Sequence, residues 1–186
     1  MSKGFTIIEV VVAIFILSIA VIGVYNAFSI VVILTADTTD RFMAAYLTQE
    51  GMEIVRNIRD NNWVSSNPNG WNAGLTDCAS GCEADYKTMG TDPSPLPPYG
   101  TNGNYLNIDT EGFYSYNPVS NKETKFKRKI TIMPVTGYED YIMKVSVQVS
   151  WDEKATILSP GSKAGDICAS TSSNCLTAEE YLYNWY

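Results

Sequence analysis

The chain contains no histidine and only four cysteines among its 186 residues. Without histidine there is no Ser-His-Asp or Cys-His catalytic set, no histidine ligand for zinc and no histidine pH switch. Basic residues are also scarce: 13 Lys and Arg stand against 20 Asp and Glu, a formal net charge of −7. Because nucleic acid is bound by basic surfaces, this balance disfavours a nucleic-acid partner. No nucleophile–base pair, metal cluster or phosphate loop is visible, which predicts a protein that is not an enzyme and uses no cofactor.

Charge is almost absent from one long stretch near the N-terminus. Residues 5–34 contain 24 hydrophobic residues and a single charge, Glu9, whereas residues 35–186 contain 59 hydrophobic residues among 152. As a helix, Val10 to Leu34 would be about 37 Å long, enough for the roughly 30 Å hydrocarbon core of a bilayer. The run is too long for a secretory signal peptide. A plain membrane anchor leaves Glu9 unexplained, because an unpaired carboxylate in such a helix costs several kcal/mol.

The residues around Glu9 form a distinctive pattern. Lys3-Gly4-Phe5-Thr6-Ile7-Ile8-Glu9-Val10 closely resembles the cleavage and methylation signature of type IV prepilins and the related pseudopilins. The resemblance implies that the peptidase cuts between Gly4 and Phe5, that Phe5 is then N-methylated, and that Glu9 guides assembly. In this family the carboxylate is expected to neutralise the N-terminal amine of a neighbouring subunit, and such charges attract strongly in a low-dielectric setting. Many major pilins carry a proline within the apolar helix, which this chain lacks.

The same resemblance implies a set of partners and a location. The partners are the prepilin peptidase/methylase, other pilin or pseudopilin subunits, an inner-membrane assembly platform and membrane lipid. The single apolar run predicts a single-pass protein of the cytoplasmic membrane. Lys3 before the run, with Asp37 and Asp40 after it, favours a cytoplasmic N-terminus and an external body. After processing, the subunit would enter a pilus or pseudopilus filament. The alternative is a membrane-anchored extracellular binding or adhesion protein that does not polymerise.

Helical periodicity continues beyond the apolar run, through residues 35–62. Apolar or small residues recur at the three-to-four spacing of one helix face, which predicts an amphipathic helix lying on a sheet: Ala44, Leu47, Gly51, Ile54 or Val55, and Ile58. Gly51 costs about 1 kcal/mol relative to alanine in a helix, and close packing against the sheet is the expected compensation. Asp37/Arg41 and Arg56/Asp60 have the spacing of i,i+4 ion pairs. Residues 44–53, 56 and 59–62 resemble minor pilins of the pilus-modification kind and type I pseudopilins.

The remainder, residues 63–186, predicts an extracytoplasmic head. Residues 63–111 are rich in Pro, Gly and Asn and indicate a variable loop region. Residues 112–186 carry strand signals at 112–116, 125–133, 141–151 and 181–186, and the period of two in 141–151 indicates an antiparallel sheet with one buried face. The predicted fold class is α+β and pilin-like, with a leader (1–4), an apolar helix (5–34), its amphipathic continuation (35–62) and the head.

The four cysteines form two close pairs, Cys78/Cys82 and Cys168/Cys175. A head outside the cytoplasm can keep disulfides, and of the three possible connectivities the two local bridges are favoured. A four-cysteine zinc site is the alternative, although the spacings are not those of zinc knuckles.

Two further groups of residues in the head could bind a ligand. The basic run at Lys122, Lys125, Lys127, Arg128 and Lys129 could contact DNA, but the alternating lysines are better explained as the solvated face of a strand. Six residues carry oxygens that could bind calcium, without a diagnostic spacing, so a polar loop without metal is the favoured interpretation. They are Asp92, Asn102, Asn104, Asn107, Asp109 and Glu111.

Overall fold

A computed structural model describes residues 4, 6–88, 96–100, 103–116, 122–156, 160–165, 168 and 174–185. The chain forms two compact units, Met1–Asp40 and Arg41–Tyr186. The elements are the helix α1 (Ile7–Val64) and the strands β1 (Tyr105–Ile108), β2 (Tyr114–Ser115), β3 (Lys122–Pro134), β4 (Ile142–Trp151) and β5 (Cys175–Tyr183). Two short 3-10 turns, Thr76–Cys78 and Tyr86–Thr88, lie between α1 and β1. The predicted α+β class, with one long N-terminal helix and an antiparallel sheet, is confirmed.

The first unit consists of the apolar part of α1. Its side chains are exposed along the apolar stretch, and no part of the most apolar 18-residue window is buried. Hydroxyl groups in this part bond to the helix itself: Ser18 Oγ donates to the Ile14 carbonyl at 2.8 Å, and Ser29 Oγ donates to the Tyr25 carbonyl at 3.0 Å. Such back-bonding removes the cost of placing a hydroxyl in apolar surroundings. By length and composition, α1 could cross a membrane.

The second unit is a five-stranded antiparallel sheet covered by the C-terminal part of α1. The strand order is β2-β1-β3-β4-β5. The β3–β4 hairpin pairs from Phe126 opposite Trp151 to Pro134 opposite Met143, in agreement with the two longest predicted strands. β5 pairs with β4 from Cys175 opposite Ser150, so it begins earlier than the predicted segment 181–186. The prediction that residues 63–111 are irregular is wrong at β1, which pairs with β3 across a register shift.

The core lies between α1 and the inward face of the sheet. The predicted helix face is confirmed, because the buried residues of α1 follow the three-to-four spacing: Ala44, Leu47, Thr48, Gly51, Met52, Ile54 and Val55. The facing strand residues are also buried, with alternating positions turned inward: Phe126, Arg128, Ile130, Ile132, Met143, Val145, Val147, Val149 and Trp151. α1 lies close to the sheet at Gly51, since an added Cβ would lie 2.9 Å from Val147 Cγ1. The expected compensation for this helix glycine is therefore present.

Charged side chains also join α1 to the sheet. Arg128 is fully buried, and its guanidinium donates to the Leu47 carbonyl at 3.0 Å, to Glu50 at 3.1 Å and to the Ala84 carbonyl at 2.6 Å. Arg56 pairs with Glu53 and with Glu180 of β5.

The second of the proposed i,i+4 pairs, Arg56/Asp60, is wrong. Asp60 is instead bound by Arg59 at 2.8 Å. Arg56 instead contacts Glu180 of the edge strand β5, which is 124 residues away in the sequence. The tertiary fold brings the two side chains together, and helical spacing rules do not predict such a pair.

Candidate functional site

The N-terminus of α1 is stabilised by a threonine cap. The Glu9 amide donates to the Thr6 carbonyl at 3.1 Å and makes a longer contact of 3.4 Å with Thr6 Oγ1. Thr6-Ile7-Ile8-Glu9 has the S/T-x-x-E spacing of a capping box, in which the threonine hydroxyl accepts from the third helical amide. The role of Thr6 was missed in the sequence interpretation, although this spacing was a readable signal for it.

Glu9 lies in the first turn of α1 and is exposed. A carboxylate at this position interacts favourably with the positive end of the helix dipole, by about 0.3–1 kcal/mol at exposed sites. Gly4 is exposed, and a Cβ added to it would have no atom within 4 Å. Phe5, the predicted methylation site, lies outside the described residues. The described part of the site is thus an accessible glycine followed by a capped helix that carries one acid and then a long apolar surface.

This arrangement has a counterpart among known families. Residues 1–25 match the family model of the prokaryotic N-terminal methylation motif. The methylation motif covers Gly4, Phe5, Thr6, Glu9 and the first part of the apolar helix. It supports a type IV pilin-like substrate of the prepilin peptidase, indicates a structural protein, and with the exposed apolar helix fits membrane anchoring. No curated protein and no solved structure matches the chain significantly.

The four cysteines are paired locally in the structure, Cys78 with Cys82 and Cys168 with Cys175. Cys78 and Cys82 are buried, and Cys82 exchanges backbone hydrogen bonds of 2.7 and 2.9 Å with Ile130 of β3. These backbone bonds tie the segment after α1 to β3, and the first disulfide closes a short loop within that segment. The second bridge closes a loop at the first residue of β5. In the parts of the chain that the structure describes, no group of three His, Cys, Asp or Glu side chains is placed to hold a metal ion.

The basic run of β3 is divided between the two faces of the sheet. Arg128 points into the core, while Lys127 lies on the opposite face. The prediction that the alternating lysines form the solvated face of the strand is wrong for Lys127, which is only 8% exposed. Its Nζ lies 4.7 Å from the ring centroid of Tyr105, because β1 runs beside β3 and covers it. Lys129 Nζ similarly lies 5.2 Å from the centroid of Tyr99. Tyrosine rings thus lie against two of the five basic residues of this run.

Asp109, one of the oxygen-bearing loop residues, is engaged in internal hydrogen bonds. Its carboxylate accepts from the Tyr86 hydroxyl, and from the backbone amides of Glu111 and Phe113 at 3.0 Å each. Lys87 Nζ is 3.6 Å away. The Tyr86 bond, followed by the two backbone bonds and the lysine charge, lowers the pKa of Asp109 below its ordinary 3.8, against the effect of burial. The same bond raises the pKa of Tyr86. The Asp109 carboxylate is thus bound by groups of the chain itself and stabilises the turn that follows β1.

Asn104, another candidate calcium ligand, is also hydrogen-bonded within the chain. Asn104 donates from its amide nitrogens to Glu83, at 2.8 Å from both the backbone and the side chain. Asp92 and Asn102 lie outside the described residues.

Proposed function

We propose that the chain is a minor pilin or pseudopilin, a structural subunit of a type IV pilus or type II secretion-like filament. The precursor is inserted with its N-terminus in the cytoplasm and its head outside, and the prepilin peptidase cuts between Gly4 and Phe5. Phe5 is methylated, and the subunit joins other pilin-like subunits through α1 at the assembly platform. Glu9 neutralises the N-terminal amine of a neighbouring subunit.

The observation that carries this proposal is the methylation motif at residues 1–25 at the start of one long exposed apolar helix. An exposed apolar surface of this extent needs either lipid or other apolar helices around it. Glu9 is the single charge among residues 5–34, so its carboxylate is the natural group to set the position of one helix against the next. The packed head supports the proposal as the part that would remain in water.

The processing step is tested by mass spectrometry of the full-length chain recovered from cells that contain the peptidase. The expected mature protein begins at Phe5 and carries one methyl group on its amine. Replacing Gly4 with leucine should leave the leader attached, because a side chain would obstruct the approach of the peptidase to the backbone. Recovery of intact Met1 from the wild type, or a cut after Leu34, would contradict the proposal.

The assembly step needs a control that separates the charge of Glu9 from its position in a helix cap. Glu9→Ala removes the carboxylate, whereas Thr6→Ala removes the capping hydroxyl and leaves the carboxylate in place. We expect processed Glu9→Ala to stay in the membrane and to be absent from sheared filaments, while processed Thr6→Ala still enters them. Equal incorporation of Glu9→Ala and the wild type would instead support an anchored binding protein that does not polymerise. Equal loss in both variants would mean that the start of the helix, and not the charge of Glu9, limits incorporation.

A further inference from the structure

In the part of the chain that the structure describes, four aromatic rings form a connected group at the end of the head where α1 ends. This aromatic end consists of Trp71, Trp63, Trp185 and Tyr183, in that order of contact. The ring centroids are 6.5 Å apart between Trp71 and Trp63, 6.2 Å between Trp63 and Trp185, and 6.4 Å between Trp185 and Tyr183. The group runs from a buried ring to open solvent, because Trp71 is 8% exposed whereas Trp185 is 66% exposed.

The aromatic end is held in place by hydrogen bonds to backbone carbonyls. The Trp71 indole donates to the Asp140 carbonyl at 3.2 Å, and the Asn62 amide donates to the Trp71 carbonyl at 3.1 Å. The Asn184 amide donates to the Tyr141 carbonyl at 2.8 Å, which fixes the residue before Trp185. Exposed rings that are already ordered lose little conformational entropy on binding, so they suit a contact surface.

The charges around the aromatic end are unequal in accessibility. The Arg59 guanidinium carbon lies 5.1 Å from the Trp63 centroid, and Arg59 pairs with Asp60 at 2.8 Å. The Arg59 side chain is only 11% exposed, whereas that of Asp60 is 53% exposed. Glu139 and Asp140, in the turn between β3 and β4, are also exposed. Three exposed carboxylates, those of Asp60, Glu139 and Asp140, therefore belong to the two segments that contact these rings through Arg59 and the Asp140 carbonyl.

We infer that the aromatic end docks a segment of a partner protein that presents arginine or lysine side chains. A cation over an indole or phenol ring is attracted by the ring quadrupole, and neighbouring carboxylates add charge complementarity. The head already contains such a contact in Arg59, which lies against Trp63 and is paired with Asp60. A second copy of this surface would bring its own Glu139 and Asp140 against the same acids, and a polyanion would be repelled by them. This inference does not depend on filament assembly.

The test uses the full-length chain in a polyoxyethylene detergent, with the peptide acetyl-Gly-Arg-Gly-Arg-Gly-amide as the probe. The matched peptide carries citrulline, a neutral analogue of arginine, in both positions. Binding is followed by the indole N–H NMR signals of Trp185 and Trp63. We expect saturable shifts with the arginine peptide, weakened by added salt, and much smaller shifts with the citrulline peptide.

Three variants separate a specific contact from general attraction to an acidic protein. Trp185→Ala, followed through Trp63, should weaken binding about threefold or more without changing net charge. Phe113→Ala removes another exposed ring, 55% accessible and packed on Tyr86, and should bind like the wild type. The double variant Glu139→Gln, Asp140→Asn should bind the arginine peptide more weakly, while the indole signals of Trp185 and Trp63 keep the positions of the folded protein.

Several results would overturn the inference. The first is equal affinity of Trp185→Ala and the wild type for the arginine peptide, and the second is equal affinity of the wild type for the arginine and citrulline peptides. The third is a shift of the Trp185 signal with maltohexaose but not with the arginine peptide. The fourth is a shift that depends only on protein concentration. The last two would indicate a neutral sugar and a second copy of the chain, respectively.

Discussion

Replacing Gly51 with alanine measures how closely α1 lies on the sheet. The alanine Cβ would lie 2.9 Å from Val147 Cγ1 and 3.0 Å from Arg128 Cδ. Optimal contacts between carbon atoms are about 3.5–4.0 Å, so both contacts are repulsive. Val147 is fully buried in the β3–β4 hairpin, and its branched Cβ restricts its rotamers. Arg128 is held by bonds to two backbone carbonyls and a carboxylate. Neither neighbour can move without losing packing or hydrogen bonds.

Two opposing effects decide the sign of the change. Alanine in place of a helix glycine stabilises by about 1 kcal/mol. Overpacking a well-filled core costs about 1–3 kcal/mol, and two simultaneous clashes place Gly51→Ala at the upper end of that range. The net expectation is a loss of about 1–2 kcal/mol in the free energy of unfolding of the head. The propensity gain alone predicts the opposite sign, which makes the measurement decisive.

The assay is denaturant unfolding of the full-length chain in neutral detergent, followed by tryptophan fluorescence. All four tryptophans lie in the second unit, so the signal reports on the head. Gly23→Ala is the matched control, because its Cβ would have no atom within 4 Å, and it should leave the transition unchanged. A double-mutant cycle with Val147→Ala should recover about 1 kcal/mol of coupling. If Gly51→Ala is as stable as the wild type or more stable, the close packing of α1 on the sheet is refuted.

Three further predictions concern the head. Arg128→Met should lower the free energy of unfolding by about 2–3 kcal/mol, because a buried carbonyl loses its donor, whereas Glu50→Gln, at a side chain one third exposed, should cost under about 1 kcal/mol in the same assay. The pKa of Asp109 is lower in the folded state than its ordinary value of 3.8. The ionised carboxylate therefore stabilises the fold fully above pH 3.8, and this stabilisation is lost as the pH falls through the pKa of the folded state. Unfolding curves of Asp109→Asn and the wild type should therefore differ near neutral pH and converge in acid; a constant difference would contradict this. Replacing Cys78 and Cys82 together with alanine should cost about 2 kcal/mol from loop entropy, and reducing agent should change the variant less than the wild type.

Local patterns in the sequence were sufficient to predict the helix face and the central hairpin. Ala44, Leu47 and Gly51 follow helical spacing, and burial alternates from Ile142 to Val149, because each element buries one face. The predicted alternation is wrong at the two ends, since Tyr141 is exposed and Ser150 is buried. The methylation motif could also be recognised from the sequence, because its residues are consecutive. These features depend on spacing along the chain alone.

The features that were missed depend on contacts between distant segments. β1 is four residues long, lies among turn-forming residues and pairs with β3 across an irregularity, so it has no clear period. Lys127 has the spacing of an exposed strand residue, but Tyr105 of β1 covers it. Arg56 pairs with Glu180 and not with its helical neighbour Asp60, because the edge strand β5 lies beside α1. The spacing rules describe one element at a time and do not identify such neighbours.

The pairing of Arg56 with Glu180 has a consequence for the time course of folding. These residues are 124 positions apart, and the contact from Arg128 to Leu47 spans 81 positions. A fold dominated by such distant contacts forms slowly, because a long loop must close before any contact is gained. During synthesis, the apolar face of residues 41–64 is complete long before the strands that cover it exist. A chain released before β5 would retain that face with an incomplete sheet, so the head reaches its native state only after β5 (Cys175–Tyr183) has been made.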